Sequence, residues 1–418
     1  MKPGARIAAA IELRQKLHEQ WANGASAPAD VVLKHYAKNR RYIGSKDRRE
    51  ISRLLFQSVR QHGRLQWHLE QAGHVPSGRS LILAALALLD EQSADTLREL
   101  FNGDTYCPEP LAATEIRLLQ SLSNRLLQME SMPEAVRFNF PQWMADELHA
   151  AFGEKLPVAM TAMETEPTVD LRANSLKASQ DIVADALANE GITAAPTPHA
   201  PHGLRLNARA ALTATRAFRD GLFEMQDEGS QLITEWIGAK PGDRGIDYCA
   251  GAGGKTLALA AQMQNTGTLH AWDITEARLK QLPGRITRAG VTIVQPAAIT
   301  DELLAAHHQS ADWVLVDAPC TATGLWRRSP DLRLRTSAEM HRKVCEMQHG
   351  ILQRAAPLVK LGGRLIYATC SVLPSENEKQ VEAFLKANAE FTAPGKFHRL
   401  APHSHSTDGF FAAVLARA

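Results

Sequence analysis

Two cysteines offer the clearest chemistry in this chain: Cys320, in VLVDAPCTATG, and Cys370, in LIYATCSVLPSEN. A thiolate is the strongest common side-chain nucleophile, so two of them at the ends of apolar, strand-like runs imply covalent attack on a substrate carbon. Most free cysteines are simply small buried hydrophobes. These two differ in context, since each follows an apolar run and lies beside a turn former, Pro319 or Ser371. In doubly wound sheets such strand ends line the ligand crevice. Cys249 and Cys345 lack this combination and read as part of a turn and as a helix packing residue.

A third string, DYCAGAGGKT (Asp247 to Thr256), follows a strand-like run and opens a helix-like one. Its glycines at 251, 253 and 254 let backbone pass close to a ligand, and the helix N-terminus leaves N–H donors free. Asp273 ends the next strand, 22 residues after Gly251, where an acid would accept hydrogen bonds from a ribose diol. The string alone is ambiguous among NAD, S-adenosylmethionine and a nucleoside triphosphate. A phosphate-cradling G-x-x-x-x-G-K-[ST] loop needs glycine at 249, and Cys249 puts a Cβ where the backbone must wrap. The spacing is not G-x-G-x-x-G either, which disfavours NAD and leaves S-adenosylmethionine.

These strings need elements to position them. With 418 residues, 44% hydrophobic and 22% charged, the chain is expected to be a soluble protein of two or three domains. Residues 1–130 read as all-helical, with LILAALALL (Leu81 to Leu89) too short for a membrane span and Ser45 a candidate N-cap. Residues 131–240 read as a small α+β subdomain with strands at TVDLRAN and, edge-like, at GLRLNA. Residues 241–418 alternate strand and helix in the doubly wound manner, ending in the strand FFAAVLA. His199 and His202, like His403 and His405, read as loop residues, so no metal is expected. Five scattered cysteines without a C-x-x-C pair, and no hydrophobic leader after Met1, point to a reducing cytoplasm. The net charge of +2 hides nine Lys/Arg between Val31 and Arg60 against Asp47 and Glu50, a surface suited to a polyanion.

DYCAGAGGKT, VLVDAPCTATGLWRRSPD, GGRLIYATCSVLPSENE and DGFFAAVLARA together resemble the RNA (cytosine-5)-methyltransferase family. RANSLK (Arg172 to Lys177), QDEGSQ (Gln226 to Gln231) and a NusB-like helical N-terminus are similar to its bacterial small-subunit rRNA branch. The resemblance implies a Rossmann-like methyltransferase domain and transfer of a methyl group to C5 of a cytosine, in 16S rRNA for that branch. It implies that Cys370 attacks C6, that Cys320 helps resolve the adduct by removing the C5 proton, and that Asp317 meets N3 of the base. It also implies that Cys249, Ala250, Gly251, Ala252, Gly253, Gly254 and Lys255 surround the methionine part of S-adenosylmethionine, with Asp273 on the ribose and Asp317 nearby.

The family often has an acid near the adenine; Ala298 stands at that position here, and Asp301 is a candidate substitute. Arg172, Lys177, Arg327 and Arg328 would grip the RNA backbone, without setting sequence, around a base that is flipped or unpaired. A monomer is the default. The rival readings are a tRNA substrate, a degenerate P-loop NTPase and a non-catalytic RNA-binding assembly factor.

Overall fold

A computed structural model describes residues 1–24, 27–40 and 42–418. Arg41 of the basic run, and Ala25 and Ser26, lie outside the described residues. The chain divides into two compact units, Met1–Glu164 with Trp326–Ala338, and Thr165–Leu325 with Glu339–Ala418.

The first unit is helical. Its longest elements are Pro3–Ala22, Ser45–Arg60 and Gly78–Leu88. The last of these carries LILAALALL, with Leu81, Ile82, Leu83 and Ala84 fully buried, and it starts on a capping box between Ser77 and Ser80. Ser45 is the first residue of its helix and makes no side-chain cap; Gly44 holds the cap position. The Trp326–Ala338 segment is clamped within this unit. Asp331 accepts from Ala29 N–H at 3.2 Å, and Arg333 sits 4.6 Å over the Trp326 ring and donates to Met163 O.

The second unit holds two sheets. The smaller has β1 (Asp170–Ala173), β2 (Ala194–Pro196), β3 (Gly203–Leu206) and β4 (Phe223–Met225) in the order β2-β3-β1-β4. GLRLNA therefore supplies an interior strand, not an edge, because its backbone pairs with β2 on one side and β1 on the other.

The larger sheet contains β5 (Arg244–Asp247), β6 (Thr268–Asp273), β7 (Val294–Ala298), β8 (Ala311–Asp317), β9 (Val359–Thr369), β10 (Phe391–Thr392), β11 (His398–Leu400) and β12 (Phe410–Arg417). Its order is β10-β12-β9-β8-β5-β6-β7, with β11 paired to β12. Strands β7 to β9 run parallel through β6, β5 and β8, and β12 is antiparallel to β9. Burial on both faces explains why β8 reads as the continuous apolar run WVLV, with Trp313 to Val316 fully buried. One face packs on helices Ala338–Ala355 and Glu378–Ala387 through Leu352, Val381 and Phe384, and the other on Gly254–Gln262 through Leu257 and Leu259. The chain leaves β5 in one direction for β6 and β7, then in the other for β8 and β9. The crevice at this switch between β5 and β8 is where doubly wound sheets bind ligands.

Candidate active site

The register of β8 against β9 decides where the cysteines go. Asp317 lies opposite Ala368, so Cys320 and Cys370 leave the sheet within three residues of the same row. Two backbone bonds fix the turns, Ala318 N–H to Ala368 O at 2.8 Å and Gly324 N–H to Cys370 O at 2.9 Å. The result is a sulfur–sulfur contact of 3.2 Å between Cys320 and Cys370. Both remain free thiols. The bond to Cys370, then burial, then the charges of Cys370 and Glu376 hold the Cys320 thiol well above its ordinary range. Cys320 therefore keeps its proton at neutral pH.

Asp317, at the end of β8, meets Lys255 Nζ at 2.6 Å. Burial opposes the charge on Lys255, but Asp317 more than offsets it and holds the ammonium above its ordinary value. Thr256 donates its hydroxyl to Asp247 Oδ2 at 2.6 Å. The two residues that a triphosphate loop would direct at phosphate and metal are thus both turned to strand-end carboxylates.

A cleft of about 280 Å³ lies beside them, lined by Gln226, Ser230, Asp247, Cys249, Lys255 and Asp317 among others. Its floor is the turn after β5. Gly251 and Gly253 take left-handed conformations, φ 53° and 84°, and a Cβ on Gly253 would lie 2.1 Å from Leu282 Cδ1. Gly253→Ala is therefore expected to cost about 1–3 kcal/mol of stability and to weaken S-adenosylhomocysteine binding about tenfold or more, read by calorimetric titration and thermal melting.

Asp273 accepts from Gly251 N–H at 3.0 Å through Oδ2, which ties β6 to the turn. The second oxygens of Asp273 and of Asp247 are buried without a donor. Such acceptors at a strand edge suit a ligand that brings its own hydroxyl or ammonium donors. Burial pushes the Asp247 carboxyl up to about 7, with Thr256 opposing and Asp317 adding to the rise. A carboxyl raised from 3.8 favours the fold fully below pH 4, and that contribution is lost as pH climbs through about 7. Between about pH 5 and pH 8 the ligand-free protein should lose roughly 2–3 kcal/mol relative to Asp247→Asn, measured by denaturant unfolding. Burial, reinforced by Asp247, Asp317 and Asp273, pushes the Cys249 thiol up, so this cysteine lines the cleft as a neutral group.

Arg172 and Lys177, expected to grip RNA, both make hydrogen bonds within this unit. Arg172 is buried, and burial lowers its guanidinium to about 10. It donates to Gly254 O at 2.9 Å and to Gln226. Lys177 donates to the carbonyls of Asp220 at 2.8 Å and Arg288 at 2.7 Å. Arg172 thus braces the cleft, while the exposed Lys177 ties two carbonyls together. Arg327 and Arg328 belong to the helical unit, where Arg327 is buried and Arg328 exposed. In the same unit Arg40 pairs with Glu12, and Arg53 with Glu50 and Asp90, while Lys34, Lys38, Lys46, Arg48 and Arg49 remain exposed.

Ala298 ends β7 opposite Asp273. Asp301, the candidate substitute, is exposed and pairs with Arg354 at 2.7 Å. Sequence reasoning passed over Gln226, Ser230 and Arg285. Gln226 bonds Ser230 at 3.1 Å, and Arg285 braces the turn through Ala252 O at 2.6 Å. The QDEGSQ string was the available signal for the first two.

A family model described as 16S rRNA methyltransferase RsmB/F matches residues 234–416, and an RsmF/B-like ferredoxin-like domain matches residues 140–213. A probable ribosomal RNA small subunit methyltransferase B from Synechocystis is 28% identical over 95% of this chain and 97% of its own. The ribosomal RNA small subunit methyltransferase B of Escherichia coli O139:H28 is 33% identical over 72% of each chain. Among solved structures, that of PH0851 covers 99% of both chains with a TM-score of 0.78 at 26% identity.

Proposed function

Because the chain belongs to the ribosomal RNA small subunit methyltransferase B family and is an S-adenosylmethionine-dependent rRNA methyltransferase, we propose that it methylates C5 of a cytosine in 16S rRNA through a covalent cysteine adduct. The observation that carries this reading is the 3.2 Å contact between Cys320 and Cys370 beside Asp317.

The residues fit the cofactor. Asp273 and Asp247 each keep a buried oxygen without a donor, and a ribose diol and an amino-acid ammonium would supply what is missing. Cys249 to Lys255 would hold the methionine part along the glycine turn. When bound, S-adenosylmethionine supplies a methyl group activated on a sulfonium.

The chain's own groups then account for the rest. Cytosine C5 is too weak a nucleophile to take a methyl group directly. The Cys370 thiolate adds to C6, and the electron pair displaced from the C5–C6 bond makes C5 nucleophilic. Asp317 meets N3 and shares a proton as charge gathers on the ring, with Lys255 holding the carboxylate in place. Once Cys370 is bonded to carbon its charge is gone, and with it the first reason for Cys320 to stay protonated. Cys320 can then give its own proton to solvent and, as a thiolate, remove the C5 proton. The electrons of that C–H bond restore the C5–C6 double bond and expel Cys370.

The test is direct. Unmethylated 16S rRNA incubated with the protein and S-adenosylmethionine, digested to nucleosides and analysed by mass spectrometry, should yield 5-methylcytidine. A methyl group on any other nucleoside, or methylation of tRNA alone, overturns the reading.

A further inference from the structure

Glu376 is fully buried, and among the described residues no ion pair reaches it. A buried charge without a cation costs several kcal/mol unless hydrogen bonds satisfy it. Here they do. Oε2 accepts from Thr321 N–H at 2.8 Å and from Gln348 Nε2 at 3.0 Å. Oε1 accepts from Ser371 Oγ at 2.6 Å and from the Thr321 hydroxyl. Thr321 follows Cys320 and Ser371 follows Cys370, while Gln348 also donates to Pro319 O at 2.9 Å, just before Cys320. Every donor to this carboxylate therefore sits on, or braces, a turn bearing one of the two sulfurs. Glu376 is itself fixed, since Tyr367 OH donates to its carbonyl at 2.6 Å and Asn377 bonds Ser371 O at 3.0 Å.

Its charge is placed unevenly with respect to the pair. The carboxylate opposes ionisation of Cys320, whereas the Lys255 ammonium interacts with Cys370. An anion near Cys320 and a cation near Cys370 make the two sulfurs electrostatically unequal.

We propose that Glu376 is a positioning residue for the cysteine pair: it locks the two turns together and, as the anion on the Cys320 side, determines which sulfur attacks. This rests on the reading of Cys370 as nucleophile and Cys320 as its assistant. An amide would keep the size of the side chain but lose the charge, and its NH2 would confront donors where the carboxylate accepts.

The test compares the full-length protein with Glu376→Gln and Glu376→Asp. Iodoacetamide modification of Cys320 and Cys370 is followed by peptide mass spectrometry from about pH 6 to pH 9, beside steady-state methylation of 16S rRNA. The unaltered protein should alkylate at Cys370 well ahead of Cys320. In Glu376→Gln that preference should fall about tenfold or more, as expected for a shift of one pKa unit or more. Its kcat should drop about ten- to a hundredfold, with KM for S-adenosylmethionine within about twofold. Glu376→Asp should restore the preference. An unchanged preference in a folded Glu376→Gln, or faster modification of Cys320 in the unaltered protein, overturns the proposal.

If Glu376→Gln does not fold, Thr321→Val and Ser371→Ala each remove one donor while keeping the charge. Each should lower kcat about three- to tenfold, and unchanged rates in both overturn the proposal. Alkylation needs neither RNA nor methyl transfer. A shifted preference without 5-methylcytidine would defeat the proposed function while leaving the positioning of the two sulfurs by Glu376 standing, and 5-methylcytidine with an unchanged preference would overturn the positioning alone.

Discussion

Replacing Cys320 by alanine should turn this protein into one that captures its own RNA as a covalent complex, stable on denaturing gels. Cys370 would still reach C6, and the methyl group would still arrive at C5. Without the neighbouring sulfur 3.2 Å away, however, nothing stands ready to take the C5 proton, so the sulfur–carbon bond persists. Cys370→Ala should form no complex and lose methyl transfer by about a thousandfold or more, the scale on which nucleophile deletions act. The double variant should behave as Cys370→Ala does, because the second sulfur has nothing to resolve. A Cys320→Ala protein that turns over normally without a gel-shifted band would sink the division of labour, and a Cys370→Ala protein that still traps RNA would reverse it.

The second large effect is expected at Asp317. Asparagine matches its shape but neither shares a proton with the base nor neutralises Lys255, 2.6 Å away. The single-turnover methylation rate should fall about a hundred- to ten-thousandfold, with S-adenosylhomocysteine affinity within a few-fold. Some stability should also be lost, because Lys255 would keep a mostly buried ammonium without its anion. Asp317 is itself 32% exposed, so water screens part of that loss and about 1–2 kcal/mol is expected. If affinity collapses while the rate survives, Asp317 belongs to the cofactor and not to the base.

Much of this site was legible in three strings because strand ends advertise themselves. An apolar run closed by Asp-Ala-Pro-Cys, or by Thr-Cys-Ser, marks where a buried parallel strand emerges. The approach of the sulfurs was not legible, since it depends on the register that sets Asp317 opposite Ala368, and no local pattern encodes a pairing across fifty intervening residues. The fate of Arg172 escaped for a related reason. A basic residue near a nucleotide cleft suggests phosphate, and only the fold shows its guanidinium taken up by Gly254 O and Gln226. Local signals misled in smaller ways. Ser45 looks like a cap but begins its helix. Glu376 offered no signal, because a glutamate in a turn reads as surface until its four donors are seen.

The segment Trp326–Ala338 has a consequence for how such a protein can be inherited in pieces. Thirteen residues of the chain that carries Cys320 are claimed by the helical unit, with Arg333 over Trp326 and Asp331 against Ala29. No single cut therefore separates the units. A shortened gene starting at Thr165 would encode every residue around the cysteines and also a loop whose buried tryptophan and arginine had lost their covering helices. Recombination that exchanged only the first 164 residues would have to match that loop as well, so the helical unit and the catalytic sequence are bound to diversify together.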